Sequence, residues 1–269
     1  MTSEKRDIPE PIKRIVRQEC YFGCAICGCP VFDYHHIIDY AIVKEHNADN
    51  IVLLCRNHHT SKHSGKLSNE RVQEAKINPY NKSREFTSPY KIDENRTIDI
   101  KVGSNTSGTN FNGQDGIYSI LWINGFSYFT IHSENNWLTI SFVLTDNSGN
   151  PILQAYKGEM QVFSGVWDYT YEGTTLLIRK GLGNIILKLT LSNYEVKIDK
   201  GMFLSKSLDG FVIQNDMLLE YCEGNNYGTS IGCRSSNNRN GGWGILNYNI
   251  APKVEKMGGF GIFRTFGNK

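Results

Sequence analysis

Cysteine and histidine crowd one stretch of this sequence: Cys20, Cys24, Cys27, Cys29 and Cys55 lie near its start, and every histidine except His132 precedes residue 64. Cys24-x2-Cys27 is a knuckle that points two thiolates at one tetrahedral centre, and Cys55-x2-His58 repeats that internal spacing downstream. Two such pairs make a closed zinc site of the structural kind. Cys20 and Cys29 are rival ligands by position. Thiols so crowded in a chain that reads as intracellular bind metal rather than form a disulfide framework. Cys222 and Cys233, far from this cluster in a Gly/Asn/Ser-rich stretch, read as unbonded thiols.

A second group is interleaved with the first: His35-His36, Asn50, His59 and His63. His59 and His63 are one helical turn apart, so their imidazoles share a helix face and can grip a common ion. The pair follows Cys55 and His58 directly, so a zinc there would brace the start of the helix that carries it. His46 reads as an exposed loop residue and His132 as an ordinary strand histidine.

From about residue 20 to 66 the chain resembles the zinc-bearing HNH endonucleases of the ββα-metal superfamily. The resemblance rests on CxxC-G from Cys24 to Gly28, on His35-His36-Ile37, on the run from Asp49-Asn50-Ile51 to Cys55-x2-His58-His59, and on His63 with Lys66 close behind. It implies that His36 is the general base that takes a proton from water. It also implies that His35, His59 and His63 ligate a catalytic ion and that Asn50 holds the loop between two strands so that His36 keeps its orientation. Adjacent residues of an extended chain point to opposite sides, which suits one imidazole to metal and the next to water.

The implied reaction is hydrolysis of a phosphodiester, in double-stranded DNA, leaving 5′ phosphate and 3′ hydroxyl ends. Arg56, Lys62 and Lys66 flank the site as candidate phosphate contacts, with Arg14 and Arg17 behind them; each also reads as a solvated surface charge. Many members carry an acidic residue where this chain has His35. A three-imidazole shell favours zinc, nickel, cobalt or manganese over magnesium on ligand softness. The expected cofactors are one structural zinc and one catalytic divalent ion among these five.

The elements that must position these residues are legible in part. Pro11 suits a first helical turn, with Ile12, Ile15 and Val16 as a narrow apolar face. Ser68 is an N-cap for a helix carrying Val72 and Ala75, and Asn78-Pro79 stops it. From about residue 96 the period becomes two, with strands expected at 117–123, 126–132, 137–145, 175–180, 185–191 and 194–199. Asn124-Gly125 is a hairpin signal, and 224–244 reads as a long flexible loop. All four tryptophans follow residue 120. The expected fold is α+β: a small ββα-metal zinc domain at 1–78, a polar, proline-punctuated linker at 79–95, and a mostly antiparallel, sandwich-like β domain at 96–269.

Composition sets the outer bounds. With 39% apolar and 21% charged residues among 269, the chain is an ordinary globular one. It has no apolar run of membrane-spanning length and its N-terminus lacks a signal-peptide core, so a cytoplasmic protein without a membrane partner is expected. Net charge is only +2, with 13 basic and 11 acidic residues in 1–90, so no bulk field advertises a polyanion. Two function classes compete: a metal-dependent HNH endonuclease, in restriction or antiphage defence, and a non-catalytic zinc-organised module that binds nucleic acid or protein. The β-rich domain is left with targeting, regulation or assembly, through a ligand or a homo-oligomer contact; its aromatics read chiefly as core packing, with Trp167-Asp168-Tyr169 and the Asn-rich loop as the places to look for recognition beyond that.

Overall fold

The computed structural model describes residues 7–84, 91–93, 97–162, 166–234, 241–251 and 260–264. The chain divides into two compact units, Met1–Tyr90 with Asp168–Tyr171, and Lys91–Trp167 with Glu172–Lys269. Its class is α+β: all α-helices among the described residues lie in the first unit, and large, mostly antiparallel sheets make up the second. No helix among the described residues is long and apolar enough to cross a membrane.

In the first unit, helix α1 (Glu10–Glu19) begins after Pro9, with Pro11 in its first turn, where a missing N–H forfeits no helical bond. Val16 and Cys20, one turn apart, are both fully buried, whereas Ile15 of the expected apolar face is 42% exposed. The strip that meets the core runs through Ile12, Val16 and Cys20, and Ile15 falls beside it. Strands β1 (Asp33–His36) and β2 (Ile51–Leu54) pair antiparallel, with Asp33 opposite Leu54 and His36 opposite Ile51. Ile51 to Leu54 are all fully buried and form the centre of this small core.

Between these strands lies the single turn α2 (Tyr40–Val43), closed by Lys44 in the left-handed region at φ 55°. Helix α3 (Arg56–His63) follows β2 directly, with Cys55 at its N-cap. Helix α4 (Asn69–Ile77) is capped by Ser68, whose Oγ accepts from Arg71 N at 3.1 Å. Beyond Asn78-Pro79, a turn at Tyr80–Ser83 buries Asn81, whose Nδ2 donates to Tyr21 O at 3.1 Å.

The second unit holds two sheets. One runs in the order 159–162, 151–156, 137–145, 126–134, 116–123, 241–247, 260–264, antiparallel until the last two strands, which join parallel. The other is a meander of 175–181, 184–191, 195–204, 210–214, 217–222 and 225–230, with 98–102 parallel to 195–204. The sheets face each other as in a sandwich: Phe129 stacks on Phe142 and meets Phe203 of the other sheet edge-on at 6.0 Å. The Asn124-Gly125 hairpin forms, with φ 50° and 86° as a type I′ turn requires.

The stretch 224–244 departs from its reading as a loop. Asn225–Ser230 is an edge strand and Gly241–Asn247 is a strand buried along its whole length, while residues 235–240 lie outside the described residues. Gly244 explains the choice of residue. A Cβ there would come within 1.8 Å of the Trp122 ring, so the glycine marks close packing rather than flexibility.

Candidate metal centres and general base

Cys24 and Cys27 sit in the tight turn after α1, where Cys24 N donates to Cys29 O at 2.8 Å and Gly28 N to Cys24 O at 2.7 Å. Gly28 has φ 74°, and a Cβ on it would strike Asn81 Oδ1, so the buried Asn81 clamps the knuckle in a way its polar sequence context did not advertise. Cys55 and His58 arrive from the first turn of α3. The ligand atoms of Cys24, Cys27, Cys55 and His58 all lie within 4.8 Å of one another.

The separations fit a tetrahedral ion. Zinc bonds of about 2.3 Å to sulfur and 2.0 Å to nitrogen imply tetrahedron edges of about 3.8 Å between sulfurs and 3.5 Å between sulfur and nitrogen. The chain has 3.8 Å between Cys27 Sγ and Cys55 Sγ, 3.5 Å from Cys24 Sγ to His58 Nδ1, and 3.2 Å from Cys55 Sγ to His58 Nδ1. The thiols also divide one proton economy: Cys24 is held down to about 5 by the Cys27 thiol, while Cys27 is driven up by Cys24 and by burial. A divalent cation would take the place of that shared proton and let both thiols ionise. Cys20 and Cys29 stay outside the set, both thiols pushed up by burial, Cys20 to about 11. None of the described cysteines, Cys222 and Cys233 included, forms a disulfide.

His35, His59 and His63 form a second group whose ligand nitrogens all lie within 4.8 Å of one another. The His35 ring stands edge-on to His59 at 5.2 Å and to His63 at 5.4 Å, and His59 to His63 at 4.6 Å. His35 is buried on β1, and its Nε2 is sealed from solvent without a hydrogen-bond partner. Burial, then the neighbouring His59 and His63, push its pKa down to about 4; His59 is lowered for the same two kinds of reason. Both imidazoles therefore keep lone pairs at neutral pH, which is what a metal needs from them.

His36 is the next residue on β1 and is only half-buried. Its pKa is lowered, first by burial and then by His46. His46 departs from its reading as an exposed loop residue: its Nδ1 lies 3.2 Å from His36 Nε2, and its ring stacks on Tyr40 at 4.6 Å. The loop between Lys44 and Asn50 folds back over β1, a closure no local spacing reveals. Asn50 locks the chain just after β1, accepting from Ile38 N at 2.8 Å and donating to Ile38 O at 2.9 Å.

The basic candidates separate. Arg56 and Lys66 are exposed and Lys62 is half-buried along and beyond α3. Arg17 is no surface charge: it is fully buried, with Nε and Nη2 each donating to Asp168 at 2.8 Å and further bonds to Glu10 and Tyr34 inside the first unit. Burial alone would lower its pKa, but Asp168 and Glu10 raise it, so the guanidinium stays charged and already engaged. Asp168 and Tyr169 are likewise buried, which agrees with the reading of the aromatics here as core and leaves them no recognition surface.

No curated protein and no solved structure matches the chain. Residues 24–65, which hold both ligand groups as well as His36, His46 and Asn50, match the family model described as HNH endonuclease. That segment is similar to an HNH endonuclease domain and carries a zinc-like Cys/His cluster and a second cluster of three histidines.

Proposed function

We propose that this chain is a metal-dependent endonuclease that hydrolyses phosphodiester bonds in double-stranded DNA. The observation that carries this reading is the orphaned Nε2 of His35, buried in a residue whose ring lies against His59 and His63. A purely structural zinc module has no use for a second imidazole cluster beside a complete tetrad, and a buried nitrogen without a partner is costly unless something binds there. A divalent cation held by these three histidines supplies positive charge to the scissile phosphate and to the departing oxygen.

The chain's own residues do the rest. His36, neighbouring His35 on β1 but on its other side, takes the proton from the attacking water, and burial keeps its imidazole neutral for that purpose. Asn50 ties the loop after β1 to the start of β2 and so holds the base in place. Cys24, Cys27, Cys55 and His58 hold the structural zinc that anchors α3. Arg56, Lys62 and Lys66 contact phosphates on either side, and the products carry 5′ phosphate and 3′ hydroxyl. The catalytic domain is the first unit, in which Asn81 holds the knuckle, and the β-rich second unit serves targeting, regulation or assembly. Restriction or defence against phage is the setting that suits such a pairing.

Incubation of supercoiled plasmid with the full chain and each of magnesium, manganese, nickel, cobalt and zinc tests the reading. Relaxed or linear product with 5′ phosphate ends is expected with at least one ion. Intact plasmid with every ion would reject the endonuclease and leave the zinc-organised binding module.

A further inference from the structure

His46 is the one histidine of the first unit to which the nuclease reading gives no task. It lies beyond α2, where the left-handed Lys44 turns the chain and Asn47 anchors the loop by accepting from Asp49 N at 3.0 Å. Its ring is stacked on Tyr40 with an interplanar angle of 16°, and both rings stand close to that of His36. The plane of His46 is thereby fixed, with Nδ1 at 3.2 Å from Nε2 of His36.

The two nitrogens of His36 have unlike surroundings. Nε2 meets His46, whereas Nδ1 of this half-buried ring has no hydrogen-bond partner among the described residues and is not sealed from solvent. A neutral imidazole has one donor and one acceptor nitrogen. If Nε2–H donates to His46, the lone pair lies on the unsealed Nδ1, where water can reach it. If the bond ran the other way, that nitrogen would carry a proton and could accept none.

Stability does not account for an imidazole at position 46. Its Nε2 is buried without a partner, a cost that an apolar ring in the same stack would remove. We propose that His46 is a positioning residue: its Nδ1 accepts a hydrogen bond from Nε2–H of His36 and holds the base in the tautomer whose Nδ1 takes the proton from water. This rests on the nuclease reading and adds to it the residue that sets the tautomer, as second partners of reactive histidines do elsewhere.

The test uses the full chain. His46→Phe keeps the stack on Tyr40 and removes Nδ1, and His46→Asn puts an amide oxygen near that nitrogen's place. In plasmid cleavage, His46→Phe is expected to lower kcat by about 10- to 100-fold, by analogy with the loss seen when the hydrogen-bond partner of a metal-bound histidine is removed. KM for DNA and metal content should stay unchanged, and the thermal midpoint should be equal or higher. His46→Asn should recover most of the rate. Independently of cleavage, long-range 1H–15N spectra at a pH where both rings are neutral should show His36 protonated at Nε2 in the native chain and divided between tautomers in His46→Phe. Native kcat in His46→Phe, a fall in kcat matched by a fall in thermal midpoint that His46→Asn does not repair, or a native His36 protonated at Nδ1 would overturn the proposal. A native chain that cuts nothing would sink the nuclease reading instead, and the spectra would still decide the tautomer.

Discussion

His58 and His59 are neighbours on α3 and belong to different clusters: His58 Nδ1 lies 3.2 Å from Cys55 Sγ, while the His59 ring stands 5.2 Å from that of His35. One helical step thus separates a structural ligand from a ligand of the proposed catalytic ion. Whatever holds Cys55 and His58 also sets where His59 and His63 point, because all four are carried on the same short helix and its cap.

That linkage makes the tetrad separable by optical probes. Cys27→Ser should bring zinc content down to near zero and cost the first unit more than about 4 kcal/mol, the range in which loss of a structural metal falls. All α-helices among the described residues lie in the first unit, and Trp122, Trp137, Trp167 and Trp243 lie in the second. Circular dichroism at 222 nm should therefore lose its helical signal while tryptophan emission holds. Retention of zinc and helix by this variant would remove Cys27 from the ligand set.

The histidine trio should behave differently. His59→Ala leaves the tetrad intact, so elemental analysis after equilibration with excess manganese or nickel should find one zinc and no second ion, against one zinc and one second ion in the native chain. A second ion bound equally well by the variant would place that ion elsewhere.

Asn50→Asp tests the lock on the loop. The carboxylate can still accept from Ile38 N but sets an oxygen against Ile38 O, where the amide now donates. The expected loss is about 1–3 kcal/mol in stability from the unmade bond. Each 1.4 kcal/mol of lost base orientation is worth about tenfold in rate. Denaturation midpoints and cleavage rates measured together should both fall; native values for both would make Asn50 a bystander.

In the second unit, Gly244→Ala should destabilise by about 3 kcal/mol or more, since its Cβ would overlap the fully buried Trp122 ring. Chemical denaturation followed by tryptophan fluorescence reads this directly. A variant as stable as the native chain would mean that Trp122 can move aside.

Where local chemistry decides a feature, sequence was enough to find it. Ser68 caps α4 because a hydroxyl at that position satisfies a free amide, and Asn124-Gly125 turns a hairpin because both residues tolerate positive φ. The two-residue spacings of Cys24/Cys27 and Cys55/His58, and the helical spacing of His59 and His63, are likewise local and bring the atoms together as read. What escaped was long-range. His46 gains its partner only when a loop of ordinary polar residues closes over β1. Arg17 looks like any basic residue on a helix until Asp168, far along the chain, buries it. The glycines and asparagines of 224–244 suggest a loop, because composition does not say that Gly242 and Gly244 are spaced for contact with Ile120 and Trp122.

Plasmid cleavage by His36→Ala, compared with the native chain at matched content of both metals, bears most directly on the hydrolytic site. Loss of cleavage by about 100-fold or more, with zinc, second ion and helical signal retained, is the expected result for removal of a general base. Undiminished cleavage by that variant would contradict it and send the search for the proton acceptor elsewhere in the first unit.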